Sequence, residues 1–416
     1  MNKLTYDQLG LSSDSLMMSD PAAAAKTTTP TQAAATPFTL PAGAVSDPVV
    51  HADGSETVSV HTGGLTFNLT FDAAAAAAPE SFRAGVEQAA AILSSAITDE
   101  ATINLAIDFA GTGGGAGANV SNGVLANYTQ LRTELQDHAA AGDTVFDNLP
   151  TTRAVQGHSQ VFVANAQAKV LGLIDPNNTT TEDGFAVFNT DIPTQSLVGV
   201  ALHELSHALG RVPSPGNLDI FDLFDFTRAG HNLINNNIAS GPPAYFSLDG
   251  GVTKIADYGQ MSDPADFLNT GIQGARDPLN EFYNPTTSQT LSPIDLVVLE
   301  TLGYNIKTPD TAALLAQIPH AAGVAAPLQT PAQAAAIASA VAAETAASLT
   351  KLGDAAGAAQ VLANAQADAA ALNGTDAGTT THANGMMHEA ALHDPYASNS
   401  HYDAMMALHL HNITAN

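Results

Sequence analysis

Apolar and polar residues alternate from Glu56 onward, where ETVSVHTGGLTFNLTF sets Val, Leu and Phe at every second position on both sides of Gly63 and Gly64. A period of two predicts a strand pair turning at the glycines. The period then lengthens. Residues 81–97 (SFRAGVEQAAAILSSAI) repeat their apolar positions every three or four residues and predict an amphipathic helix, and TINLAIDF (102–109) predicts a strand. Residues 128–140 and 161–173 (VFVANAQAKVLGL) read as helices, and 184–189 (GFAVFN) as a short strand. Next, Leu197, Val200, Ala201, Leu205, Ala208 and Leu209 fall at the spacing of a buried helix, with Thr194 and Ser196 as capping candidates and Gly210 at a left-handed end. Residues 244–303 are rich in turns and close on a helix at 293–302, with Ser292 as N-cap and Pro293 at its first position. This order predicts an α+β domain around one mixed sheet.

Outside that patterned region the chain changes character. Residues 1–45 are rich in Ala, Thr, Ser and Pro without periodicity and read as a flexible, low-complexity leader. The patterned domain spans 46–307. Residues 308–416 begin as an Ala-rich helical region broken by Pro319, Pro327 and Pro331 and end in a Gly/Thr-rich, then His/Met-rich tail. Six of the fourteen histidines and four of the eight methionines lie in 374–416, so His388, His393, His401, His409 and His411 are candidate ligands for a soft or borderline metal, though at no fixed spacing. The same region is a candidate for self-assembly.

Composition narrows the partners. Forty acidic against twelve basic residues give a formal charge of −28, a field that repels nucleic acid and anionic lipid. No run of 18 apolar residues offers a membrane span, and the N-terminus has no hydrophobic stretch of signal-peptide length. With no cysteine, disulfides and thiolate ligands are excluded and any zinc must be held by nitrogen and oxygen. The expectation is a secreted or cell-surface protein exported by a leaderless one-step route, with a cytoplasmic location as the alternative.

Candidate chemistry centres on His203-Glu204-Leu205-Ser206-His207. Two histidines four apart on a helix share one face, so both imidazoles can reach one ion, and Glu204 stands beside the water that would complete its shell. That is the arrangement of a zinc hydrolase with Glu204 as general base. Without a metal, these would be two ordinary helix histidines and a solvated glutamate. A third protein ligand is needed, and the position three residues past Gly210 is Pro213, which cannot coordinate. Asp222 is the first choice, since a carboxylate among Ile220, Phe221, Leu223, Phe224 and Phe226 is costly unless paired or metal-bound. Its pairing with Arg211 or Arg228, or service as a helix cap, is the competing account. His231 and Asp219 are the alternative ligands. Tyr258, Tyr283 and Tyr304 are candidate polarising phenols. The loop at 175–183 (DPNNTTTED) is a weaker candidate for Ca2+, lacking the glycine and terminal glutamate of an EF-hand. GTGGGAG at 111–117 lacks the Lys-Ser/Thr ending of a phosphate loop and reads as a plain loop.

These residues together resemble a metzincin-type zinc metallopeptidase, and more narrowly a group of bacterial metalloproteases whose metal helix reads HE(I/L)xHALGR before a DLF segment. The matching residues are 203–211 and Asp222-Leu223-Phe224, with YFSLDGG at 245–251, the stretch 266–283, and Leu302-Gly303-Tyr304. The resemblance covers about residues 50–307. It implies a metzincin-like catalytic domain with a twisted mixed sheet, zinc at the helix, a methionine turn for which Met261 is the candidate, and an edge strand at 185–189 against which an extended peptide lies. The departure at Pro213 falls on the third ligand.

Two functions follow. One is a zinc endopeptidase acting on peptide or protein substrates through a metal-activated water. The other is a non-catalytic exported surface or matrix protein built on a metalloprotease-like scaffold.

Overall fold

The computed structural model describes residues 38–214, 216–234, 243–259, 262–307 and Leu314, with the backbone of residues 4–5 and 18–19. All belong to one compact unit, Met1–Gly323. Met261, the Ala-rich region beyond Leu314 and the five tail histidines lie outside the described residues, as does most of the leader.

In chain order the elements are β1 (Val49–Val50), β2 (Glu56–His61), β3 (Thr66–Phe71), α1 (Ala73–Ala76), α2 (Glu80–Ala96), β4 (Thr102–Phe109), β5 (Ala116–Val120), β6 (Asn122–Asn127), α3 (Tyr128–His138), β7 (Gln160–Ala164), α4 (Asn165–Val170), β8 (Gly184–Phe188) and α5 (Thr194–Ala208). Short pieces follow: β9 (Leu218–Asp219), a 3-10 turn (Phe221–Phe224), β10 (Asp225–Arg228), β11 (His231–Asn232), β12 (Tyr245–Phe246), β13 (Ala256–Asp257), β14 (Phe282–Tyr283) and α6 (Pro293–Thr301). The fold is mixed α/β. Its main sheet has six strands in the order β1-β2-β3-β4-β8-β5. Strands β3, β4 and β8 run parallel, while β2 and β5 are antiparallel to their neighbours. Among the described residues no helix is long and apolar enough to cross a membrane.

The predicted alternation does its work here. Val58, Val60, Phe67, Leu69, Phe71, Ile103, Leu105 and Ile107 are all buried on one side of the sheet. The intervening residues form a polar ladder on the other side, with Ser59 Oγ donating to Asn68 Oδ1 at 2.7 Å and Asn68 Nδ2 to Asn104 Oδ1 at 2.9 Å. Helices α2 and α5 cross the apolar side and pack on each other. Gly85 sets their separation, since a Cβ there would lie 2.8 Å from Leu197 Cδ2. Each fully buried Phe or Leu contributes about 1.5–3 kcal/mol, so this layer supplies the rigid floor on which α5 is seated.

Three sequence expectations need correction. Residues 161–173 do not form one helix: β7 occupies Gln160–Ala164, pairs antiparallel with β6, and gives way to the six-residue α4. VFVA is a short apolar run that periodicity cannot assign, and its branched and aromatic side chains suit a buried strand. The strand at 184–188 is not an edge. It lies between β4 and β5, and the outer position belongs to β5, whose Ala116, Ala118, Asn119 and Val120 are buried. Finally, α5 starts after Pro193 with no side-chain cap; Ser196 lies inside the helix, its Oγ 3.5 Å from Asn284 O. The ending at Gly210 (φ +105°) and Ser292 as N-cap of α6, with Pro293 at its first position, are as the sequence predicts; Asp295 completes a capping box there.

Candidate metal centre

Helix α5 carries His203 and His207 one turn apart, and its C-terminus determines how the second ring is held. Gly210 N donates to His207 O at 2.8 Å and Arg211 N to Ser206 O at 3.2 Å, the paired bonds of a Schellman motif. The left-handed residue must be glycine for a second reason: a Cβ at Gly210 would lie 2.7 Å from the Gln167 side chain. This turn brings Arg211 O back over the helix end, where His207 Nδ1 donates to it at 2.6 Å. His203 Nδ1 donates to Pro278 O at 2.9 Å. With both Nδ1 atoms spent on carbonyls, the Nε2 atoms are the ones left to ligate a cation, which would take the place of any proton shared between them.

Those two nitrogens face each other at 2.8 Å, with the ring centroids 4.5 Å apart. Asp266 completes the group: its Oδ1 lies 3.1 Å from His203 Nε2 and 3.2 Å from His207 Nε2. Oδ1 makes no aligned hydrogen bond, whereas Oδ2 accepts from Ser262 Oγ. Three electron-rich atoms converging at about 3 Å repel one another unless a proton or a metal ion lies among them. The separations are a few tenths of an ångström below the edge of roughly 3.3 Å expected for a tetrahedron with zinc–ligand bonds of about 2.0–2.1 Å. Among the described residues, His203, His207 and Asp266 are the one His/Asp/Glu group that could hold a metal ion. The donor set of two imidazoles and one carboxylate fits a borderline divalent cation.

All three ligands and Glu204 are buried. Burial lowers the proton affinity of His203. For His207 burial acts in the same direction, but the close Asp266 carboxylate and the charges of Asp263 and Glu204 overcome it and push the group up to about 9. Burial alone would raise Asp266; the two imidazoles hold it below the ordinary carboxylate range instead. Glu204 has no such help: burial raises it well above that range, and neither carboxylate oxygen has a hydrogen-bond partner. A buried carboxylate without partners, beside a cluster able to take a cation, is positioned to exchange a proton with a water there.

The carboxylate that the structure brings to the two histidines is Asp266, not Asp222, the first choice from the sequence. Asp222 bonds locally, its N donating to Asp219 Oδ1 at 2.9 Å while Asp219 N donates to Asp222 Oδ2 at 3.2 Å. Asp219 also accepts from Ser214 N. His231 is exposed on β11, with Nε2 3.1 Å from Arg228 Nη2. The apolar neighbours that singled out Asp222 do bury it, but turn hydrogen bonds engage its N–H and Oδ2, and it lies outside the His203–His207–Asp266 group. Asp266 stands 59 residues beyond His207, in a loop, so no spacing rule reaches it. The signal that existed was the turn-rich SDPAD run just after Met261, since ligands are often carried on loops held by a rigid scaffold. Two tyrosines are spent elsewhere: Tyr304 donates to Leu209 O at 2.8 Å and Tyr283 to Gly114 O. Tyr258 stacks on Phe267, with ring centroids 5.6 Å apart. The candidate calcium loop closes on itself: Asp175 and Asn178 accept from main-chain N–H groups within it, and Asp183 pairs with the buried Lys169 at 2.6 Å. A scan against protein-family models and searches of curated proteins and of solved structures found no match.

Proposed function

We propose that the chain is a zinc-dependent endopeptidase of metzincin type, with His203, His207 and Asp266 as ligands and Glu204 as general base. The observation that carries the reading is the convergence of three ligand-type atoms whose side chains' other polar atoms are already committed, beside a glutamate with both oxygens free. Three protein ligands leave a coordination position for water, the pattern of a catalytic rather than a structural zinc. When bound, the ion would supply Lewis acidity to that water and to a substrate carbonyl. Glu204, ionised by the charge of a bound cation, would take the water's proton and return it to the departing amine. Pro278 O and Arg211 O keep both imidazoles in the ligating tautomer throughout.

A second reading is favoured by one observation. Every side chain of the centre is sealed from solvent. A sealed ion would pin the 263–267 loop to α5 without performing chemistry, as expected of a non-catalytic protein on a protease-like scaffold. Glu204→Gln separates the two. The peptidase reading expects zinc at one per chain with hydrolysis of a peptide library reduced about 10²–10⁴-fold. Unchanged hydrolysis in this variant removes Glu204 from the mechanism, and a zinc-loaded wild type that cleaves nothing favours the sealed clasp.

A further inference from the structure

We propose that Arg211 is a positioning residue of the metal centre, holding His207 through its main-chain carbonyl and the Asp266 loop through its guanidinium. The inference rests on the metal reading above and adds what holds the donors in place before an ion arrives. Arg211 is 2% exposed, and its groups reach in three directions.

Its carbonyl is the acceptor that orients His207. Its guanidinium grips the loop carrying the carboxylate: Nε donates to Ala265 O at 3.0 Å, and Cζ lies 4.3 Å from the centroid of the Phe267 ring. Asp266 is thus held from both flanking residues by one planar group. In the third direction Nη1 lies 3.7 Å from Asp295 Oδ1 at the start of α6. Asp295 in turn acts through its charge on the neighbouring buried Asp277. Asp277 Oδ1 also accepts from Leu279 N, closing the turn whose middle residue, Pro278, offers the carbonyl that orients His203. Backbone and guanidinium therefore join His207 to the Asp266 loop, and the charges of Arg211 and Asp295 reach Asp277 in the turn that orients His203.

Lysine cannot replace this arrangement. A guanidinium donates within its plane while its face stacks on an aromatic ring, whereas an ammonium offers a point charge and no face. The Schellman turn explains why the residue stands here: only directly after Gly210 can one residue present its carbonyl to His207 and its side chain to the 265–267 loop.

The test is metal binding, not turnover. Full-length wild type, Arg211→Met, Arg211→Lys, Asp295→Asn and His203→Ala are titrated with Zn2+ against a chromogenic chelator and with Co2+ to record the visible ligand-field spectrum; folding is checked by circular dichroism. Arg211→Met is expected to weaken zinc about 10–100-fold, the usual effect of losing an outer partner of a ligand, and to shift the Co2+ bands. Arg211→Lys should fall between it and wild type, and Asp295→Asn should lose several-fold affinity while leaving the guanidinium in place. Folded Arg211→Met with wild-type affinity and an unchanged Co2+ spectrum overturns the proposal. If that variant does not fold, the same result in Arg211→Lys and Asp295→Asn overturns it. A wild type that binds no more metal than His203→Ala instead overturns the metal reading beneath it.

Discussion

Two clusters of buried polar side chains lie close together in the sequence, and they resolve the same physical problem in opposite ways. In the histidine cluster the donor atoms point at one another, with their outward-facing atoms fixed by Pro278 O, Arg211 O and Ser262. In the acidic turn, Asp219 and Asp222 cap each other's main chain, and Asp225 on β10 is buried with both oxygens unpartnered. Burial lifts all three of these carboxyls, Asp219 to about 7 and the other two well above the ordinary range, where the charges of Asp219 and Asp225 on Asp222, and of Asp219 on Asp225, add to it. Asp266, as deeply buried, is held low by its imidazole neighbours. Burial of a carboxylate does not by itself mark a metal ligand. What marks one is a free oxygen facing other free donors, because a carboxyl can otherwise meet its desolvation cost by keeping its proton.

The largest effect expected from this contrast is at the histidines. His203→Ala or His207→Ala should abolish stoichiometric zinc, and a chelator should lower the melting temperature of the wild type but not of these variants. An ion present at 1,000 times its Kd stabilises the fold by about 4 kcal/mol, enough to see plainly in calorimetry. A wild type whose melting is indifferent to both zinc and chelator would place a proton, not a metal, between the two rings.

The paired substitutions Asp266→Asn and Asp222→Asn probe the difference between the clusters directly. Loss of the ligand carboxylate should weaken zinc by more than the 10–100-fold associated with outer partners. Asp222→Asn should leave zinc affinity unchanged, since its side chain reaches only Asp219. The reverse outcome, with Asp222 controlling the metal, would restore the ligand that the sequence favoured and remove Asp266 from the centre.

How much of this was legible beforehand follows from the range of each signal. The hairpin at 56–71, the strand at 102–109 and the helices α2, α5 and α6 were readable because periodicity and end signals act within a few residues. His203, Glu204 and His207 were readable for the same reason, since one helical turn brings them together. Strands β5 and β6 were not, because GAGANVSNGVLAN has small side chains and little alternation, and its pairing partners β8 and β7 lie far along the chain. Asp266 belongs with them. It reaches the histidines only because the 262–267 loop folds back under α5, and the grip of Arg211 on Ala265 O, which fixes that return, is invisible in linear order.

The smallest effect concerns pH. Carboxyls raised by burial remain protonated in the folded chain after the unfolded chain has released its protons. The folded state then binds more protons, and stability falls as pH rises. For the acidic turn, that loss should begin above the ordinary carboxylate range and continue through about 7, the value to which Asp219 is pushed. Asp225→Asn removes one of the groups responsible while keeping its shape. At pH 8 with zinc held saturating, it should raise stability by about 1 kcal/mol, or roughly 2–4 °C in melting temperature, and flatten the decline between pH 5 and 8. At pH 4.5 the same substitution should be nearly neutral, because the aspartic acid there already carries its proton. A substitution that instead lowers melting at pH 8 would mean that Asp225 is ionised in the native protein and held by a cation. The two clusters would then differ only in which ion they hold, and the rule that separates them, free donors facing one another, would fail.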